Sequence, residues 1–218
     1  MLDAIARRAF FALEVPIHHR EKAPRIDGTL RDWSAKYLLP PTCEIDGVAP
    51  HTDVYAAWNE AGFYIAFDCP ERVGPPAVDP RQWWKGDGFR VCIDTRDARE
   101  NKRGTRFCHL FYALPVGGGK NGRQPVVGIH DLSRAKETPT GIDIGQIQVA
   151  AHVERRHVGL EMIIPAAAMH GWDPLEHPRI GFYYKVKSLG QEPQQLTVPD
   201  ELGWNTDPST WATAVLVD

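Results

Sequence analysis

Trp83-Trp84-Lys85-Gly86-Asp87-Gly88-Phe89-Arg90-Val91-Cys92-Ile93-Asp94-Thr95 decides how the rest of the chain is read. From Gly88 onward Phe89, Val91 and Ile93 alternate with Arg90, Cys92 and Asp94, the two-residue period of a half-buried strand. Ahead of it two adjacent tryptophans stand among the turn formers Gly86, Asp87 and Gly88. If that chain is extended, neighbouring side chains point to opposite sides, so one indole turns inward while the other faces out. The stretch reads as a strand with an aromatic platform at the rim of a sheet.

Working outward, residues 54–58 and 63–68 flank Asn59-Glu60-Ala61-Gly62, a short loop ending in glycine that predicts a hairpin. Residues 147–153 and 158–164 predict a second hairpin, with Val149 opposite Met162 and Ala151 opposite Leu160 on its apolar face. Further strands are expected at residues 9–15, closed by Pro16, at 107–112, stopping at Pro115, at 180–188 and at 211–217. Residues 165–170 can start a single short helix with Pro165 in its first turn. Residues 96–104 form a charged loop of mixed sign, a solvated tip. Gly117-Gly118-Gly119-Lys120-Asn121-Gly122 lacks the Gly-Lys-Ser/Thr of a phosphate loop and reads as a flexible connection. Short strands with frequent turns and one helical segment imply an all-β chain, a β-sandwich with one short helix. We expect a single domain over residues 1–218, with residues 1–25 supplying an N-terminal strand and connector.

At 218 residues the chain can bury roughly 70% of its unfolded surface, so it needs neither a disulfide framework nor a metal to fold. A net charge of −3 gives no reason to expect nucleic acid or an anionic membrane as partner. The apolar stretch at residues 1–13 is broken by Arg7 and Arg8 and is too short for an export signal or a membrane span, which leaves the compartment unassigned. Cys43, Cys69, Cys92 and Cys108 show no paired spacing; Cys92 and Cys108, on consecutive strands, can be bridged or remain free buried thiols. The histidines form no HxH or HExxH pattern, and no serine stands in a G-x-S-x-G context, so neither metal catalysis nor a serine nucleophile is indicated. Paired carboxylates for glycoside hydrolysis depend on a spatial separation that sequence does not display.

Several motifs, in order, resemble a known group. Ile26-Asp27-Gly28 with Trp33, the acidic-turn hairpin of residues 54–68, Trp84-x-x-Asp87 before Phe89 with Ile93-Asp94, and Glu161-x-x-Ile164-Pro165 are similar to the motifs of family nine carbohydrate-binding modules and their DOMON-like relatives. The likeness runs from about Ile26 to the last strand; Arg90 departs from it, since the family commonly carries an acid there. The resemblance implies a jelly-roll-like antiparallel β-sandwich, non-catalytic, whose partner is carbohydrate, an oligo- or polysaccharide. The sugar would be clamped between one tryptophan before the central strand, here Trp84 or Trp83, and one near the C-terminus, here Trp204. It also implies that structural calcium is possible, although no cofactor is required and no metal ligands can be assigned.

Flat indole faces suit the C–H faces of a pyranose, and charged or amide groups suit its hydroxyls. Trp83, Trp84 and Trp204 all sit among turn residues and are the candidate platform, while Trp33, Trp58, Trp172 and Trp211 are expected in the core. Arg90 and Asp94, at i and i+4 on one strand face, are candidate ligand contacts or a structural ion pair. Lys185, Lys187 and Glu161, with Gln148 and His152, can form a polar sheet face beneath a sugar or simply a solvated surface. Two other readings stand beside this one. A DOMON-like haem carrier would need axial ligands, for which Met162 and His109 are the pair available, both otherwise core residues. A sandwich serving protein contacts, without sugar binding, is the third.

Overall fold

The structure, a computed structural model, describes residues 7–218. The first part of the apolar N-terminal stretch, residues 1–6, lies outside them. Eleven strands form among the described residues: β1 (Glu14–His19), β2 (Asp53–Asn59), β3 (Gly62–Cys69), β4 (Gly88–Asp94), β5 (Cys108–Gly118), β6 (Gln124–His130), β7 (Gln148–Val153), β8 (Val158–Pro165), β9 (Arg179–Lys187), β10 (Gln194–Gln195) and β11 (Ala212–Val217). Their order is β6-β5-β4-β9-β11-β1-β2-β3-β8-β7, with β10 beside β9. The sheet curls until β6 and β7 touch, so its two halves face one another as the layers of a sandwich.

Both predicted hairpins form. Asp53↔Asp68 through Asn59↔Gly62 pair β2 with β3, and in β7–β8 Val149 lies opposite Met162 and Ala151 opposite Leu160. The alternation that made β4 recognisable sends Phe89, Val91 and Ile93 inward, beside Phe182, Tyr184 and Val186 of β9. They meet Phe63, Ile65 and Phe67 of β3 and Leu160, Met162 and Ile164 of β8. Phe67 stacks on Phe89 at 4.4 Å and Phe63 meets Phe182 at 5.5 Å, joining the two layers directly. Each such ring removes enough apolar surface from water to contribute about 2–3 kcal/mol.

The outer faces depart from a half-buried sandwich. Every residue of β4 is buried, because Tyr183, Trp204 and Trp211 pack with Cys92, Cys108 and Leu110 as a second apolar cluster outside that half of the sheet. Trp33 does the same over Ala57, Tyr64 and Ala66 on the other half. Trp33, Trp58 and Trp211 are buried as expected, and Trp172 packs half-buried against the main core. Cys92 and Cys108 are buried free thiols, as are Cys43 and Cys69.

Four expectations need correction. The first strand is Glu14–His19 and not residues 9–15, and Pro16 lies inside it. β1 pairs with β11 along its length but with β2 only at His18 and His19, and Pro16 turns its missing N–H toward the side that β2 has not yet reached. Both of these pairings are parallel, so the sheet is mixed and not wholly antiparallel. The predicted helix is only a 3-10 turn, Ala166–Ala168. Pro165 before it is still extended, and Met169 after it is extended again and buried in the core. β5 continues through Pro115 to Gly118 because Pro115 falls at an irregularity in its pairing with β6, where no ladder hydrogen bond is demanded of it. The glycine-rich connection is the turn of that hairpin, closed by Gly117 N–H on the Gly122 carbonyl at 2.8 Å, and the β6 strand itself had no counterpart in the sequence reading. In the charged loop Arg96, Asp97 and Arg99 are half-buried, with Arg96 lying over the Phe107 ring at 4.6 Å.

Candidate binding cleft

The outer face of the β5-β4-β9 layer carries the candidate site. Cross-strand register sets Gly128, Tyr112, Arg90 and Lys185 in one row over β6, β5, β4 and β9. The adjacent row is His130, Leu110, Cys92 and Tyr183. Over these rows opens a cleft of about 280 Å³ whose lining includes Trp83, Trp84, Arg90, Lys185, Lys187 and Trp204.

One wall is the tryptophan pair. A 3-10 turn, Pro80–Gln82, delivers it, capped by the Asp79 carboxylate on Arg81 N–H at 3.0 Å. Trp83 lies flat on Tyr112, with centroids 4.4 Å apart and planes 10° apart, and Trp84 stands edge-on to it at 6.0 Å. The two indoles do divide, Trp83 half-buried and Trp84 51% exposed, but they stand in a turn and not in the extended chain from which the sequence argued it. Tyr112 can lie under Trp83 because its cross-strand partner is Gly128, where a Cβ would overlap the Tyr112 ring.

Asp87 holds this wall in place. Its carboxylate accepts from Ala77 N–H at 2.5 Å and Leu189 N–H at 2.6 Å, and pairs with Arg72 at 3.0 Å, both side chains being buried. One buried acid thus ties the proline-rich loop before the tryptophans to the end of β9. Arg72 was not singled out in the sequence, since its partner is remote in the chain.

The opposite wall is Trp204, placed by the turn Asp200–Leu202 and Gly203, whose φ of +69° is the left-handed conformation that glycine takes without cost. Trp204 stacks on Tyr183 at 4.9 Å and 14°, donates its indole N–H to Asp200 Oδ1 at 2.6 Å, and accepts at its carbonyl from Trp211 Nε1 at 2.8 Å. It is only 6% exposed, so it offers a ligand far less surface than Trp84 does.

Between the walls lie cations. Arg90, 2% exposed, donates to the Gly88 carbonyl at 2.9 Å and the Trp83 carbonyl at 2.7 Å, with its guanidinium 5.5 Å from the Trp83 ring. Burial brings its pKa down to about 10, against the opposing pull of Asp200, Tyr183 and Asp87. Lys185 is also buried and pairs with Asp200; burial lowers its pKa although that carboxylate opposes the shift. Asp200 is lowered: burial pushes it up, but the hydrogen bonds from Lys185 and Trp204 prevail. Lys187 caps the Trp84 and Lys85 carbonyls at 3.2 and 3.1 Å. Leu110, His130, Asp131, Ser133, Asp200 and Asn205 complete the lining and were not read from the sequence. Their chain positions were ordinary turn and strand positions, and only the fold assembles them.

Glu161, Gln148, His152 and Asp94 lie away from the cleft. Glu161 is wholly buried in the opposite half of the sheet, where Oε2 accepts from Asp27 N–H at 2.9 Å and Gly28 N–H at 2.5 Å and Oε1 from Trp33 Nε1 at 2.9 Å. The sequence motifs around Ile26 and Glu161 are therefore the two parts of one latch. Gln148 and His152 are on neighbouring β7, so the supposed continuous polar face with the lysines is divided between two sheet halves. Asp94 shares the outer face with Arg90, but four residues of strand separate them by roughly 13 Å, and of the two alternatives offered for them the ion pair does not form. Asp94 instead holds the turn after β4, accepting from Arg96 N–H at 3.1 Å and Ala98 N–H at 2.9 Å.

The two residues considered as haem ligands are engaged by the fold itself. His109 accepts at Nε2 from His170 N–H at 2.9 Å, and Met162 is sealed in the main core. Among the described residues no group of three or more His, Cys, Asp or Glu side chains could hold a metal ion. Likewise, no helix among them is long and apolar enough to cross a membrane.

No family model matches the sequence, and no curated protein matches it. The fold does have solved counterparts. A carbohydrate-binding module of family 9 from Caldicellulosiruptor kristjanssonii, in complex with cellotriose, superposes with a TM-score of 0.61 at 11% identity, over 94% of this chain and 93% of the other. A family 9 module from the same organism in complex with glucose superposes with a TM-score of 0.59 at 12% identity, over 92% and 95%. At such identities the likeness establishes the shared fold.

Proposed function

We propose that this chain is a non-catalytic carbohydrate-binding module that holds a sugar in the cleft between Trp83–Trp84 and Trp204. The observation that carries the reading is the pairing of a half-exposed indole with a polar floor: Trp84 stands at the rim of a cleft floored by Arg90 and Lys185. A pyranose has apolar C–H faces and a hydroxyl-bearing edge, and this arrangement presents a surface suited to each. The fold shared with modules solved with cellotriose and glucose supports the same reading. Binding without catalysis is supported by Asp200. A glycosidase acid needs a carboxyl whose pKa is raised, and that of Asp200 is lowered by its hydrogen bonds.

Intrinsic fluorescence tests the reading. Titration with glucose, cellotriose and xylo-oligosaccharides is expected to give a saturable change in tryptophan emission. Trp84→Ala, a surface change that leaves the melt in place, is expected to weaken binding at least about tenfold, a loss of about 1.4 kcal/mol. A flat response from folded wild-type protein across neutral and acidic sugars alike would refute it.

A further inference from the structure

The cleft contains a conflict of charge that the fold itself does not resolve. Arg90 and Lys185 are direct cross-strand partners, both 2% exposed, and Lys187 follows on the same face of β9. Like charges directly opposite one another destabilise a sheet, and a buried charge without a counter-ion is costlier still. A sandwich that needed only stability would place an apolar pair at that register. Asp200 makes its ion pair with Lys185 and shares that carboxylate with the Trp204 indole, so it reaches Arg90 and Lys187 only through space and without a direct contact. Arg90 has no carboxylate partner among the described residues, and its hydrogen bonds go to the Gly88 and Trp83 carbonyls. Lys187 is likewise held by carbonyls alone. Asp131 is the other acid of the lining, exposed at the rim beside His130 on the β6 side.

On the reading that this cleft binds sugar, we propose that its preferred ligand is an acidic glycan whose uronate carboxylate is received by Arg90 and Lys187. Most of the Arg90 guanidinium's donors are not engaged by protein, and a planar donor fork matches a carboxylate more closely than it matches single hydroxyls. The desolvated setting strengthens the attraction over what the same pair has in water. Trp84 packs a sugar ring whatever its charge, so the cations decide which ring is preferred. Local violations of ordinary sheet chemistry of this kind collect at functional sites.

The test compares oligogalacturonate, the same oligomer methyl-esterified, and a cello-oligosaccharide of equal length by calorimetry at low and moderate salt. Oligogalacturonate is expected to bind at least about tenfold tighter than its ester or the neutral oligomer. The advantage should shrink as salt rises and fall sharply in Lys187→Gln and Arg90→Gln. The ester comparison needs no variant, so an Arg90→Gln protein that fails to fold does not affect it. Equal or tighter binding of the neutral oligomers would overturn the acidic preference and leave the sugar-binding reading standing. Absence of binding to all three would overturn both.

Discussion

Replacing Glu161 with glutamine separates a structural latch from a ligand contact. The carboxylate receives three N–H donors at 2.5–2.9 Å with no solvent exposure, joining the Asp27–Gly28 turn and Trp33 to β8. Glutamine keeps the shape but has one acceptor oxygen, so it can serve either the two backbone amides or the indole. Its amide group then points at whichever donor is left. Hydrogen bonds to charged groups contribute about 1.5–3 kcal/mol each, and a buried donor left unpaired costs a further fraction. The loss should be about 2–4 kcal/mol, which for a chain of this size lowers Tm by about 5–12 °C. Urea unfolding and a thermal melt measure it, and a sugar titration well below the new Tm provides the control, expected to match wild type. A stability change under about 0.5 kcal/mol would refute the latch. So would unchanged stability with a tenfold loss of sugar affinity, which would return Glu161 to the ligand.

Gly128→Ala should lower stability by about 1–3 kcal/mol, the cost of overpacking, because the new methyl drives into the Tyr112 ring and displaces the Trp83 stack. Sugar affinity measured on the folded variant should fall with it, and unaltered emission and affinity would show that the stack does not depend on Gly128. Burial lowers the His109 pKa to about 4, below its value near 6.5 in the unfolded chain. The neutral ring is therefore the stable form when folded, and its contribution is full above pH 6.5 and is lost as pH falls toward 4. Across that interval wild type should lose about 2–3 kcal/mol more than His109→Gln; parallel urea midpoints for the two would count against this. Burial raises the thiol pKa of Cys69 to about 12 and that of Cys108 to about 11. A thiol-specific alkylating reagent at pH 8 should accordingly leave both unmodified until the protein is unfolded, and rapid native labelling would contradict their placement.

Strand identity was legible wherever one alternation ran without interruption. The β2–β3 hairpin was readable to within a residue at each strand end, and the β7–β8 register to the residue, because an apolar face fixes register and a slip of one position would turn that face to solvent. β1 and β6 were not. Proline hides β1 until it is known that β2 joins it late, and Gln124–His130 mixes Val126, Val127 and Ile129 with proline and glycine whose purpose is visible only against Tyr112. In the cleft the aromatic members and the β4 and β9 cations were recognisable from residue type and turn context. Asp200, His130 and Asn205 were not, since their roles come from contacts across the fold. Glu161 was misread for a related reason: an acid on an alternating strand looks solvated until the loop that covers it is known.

β1 lies between β11 and β2, and that placement has a consequence for how the molecule is assembled in time. The strand is the seam of the sandwich: β11 and its neighbours lie on one side and β2, β3, β8 and β7 on the other. Its partner along most of its length comes from the opposite end of the sequence. During synthesis the seam must wait for almost the whole chain, and the cleft-bearing layer, whose β9 neighbours β11, cannot be joined to its counterpart earlier. Contacts so distant in sequence place the domain among slow folders. Until β11 arrives, β1 and β9 each present a strand edge without its partner, and in that interval the chain is most exposed to mispairing with its own kind.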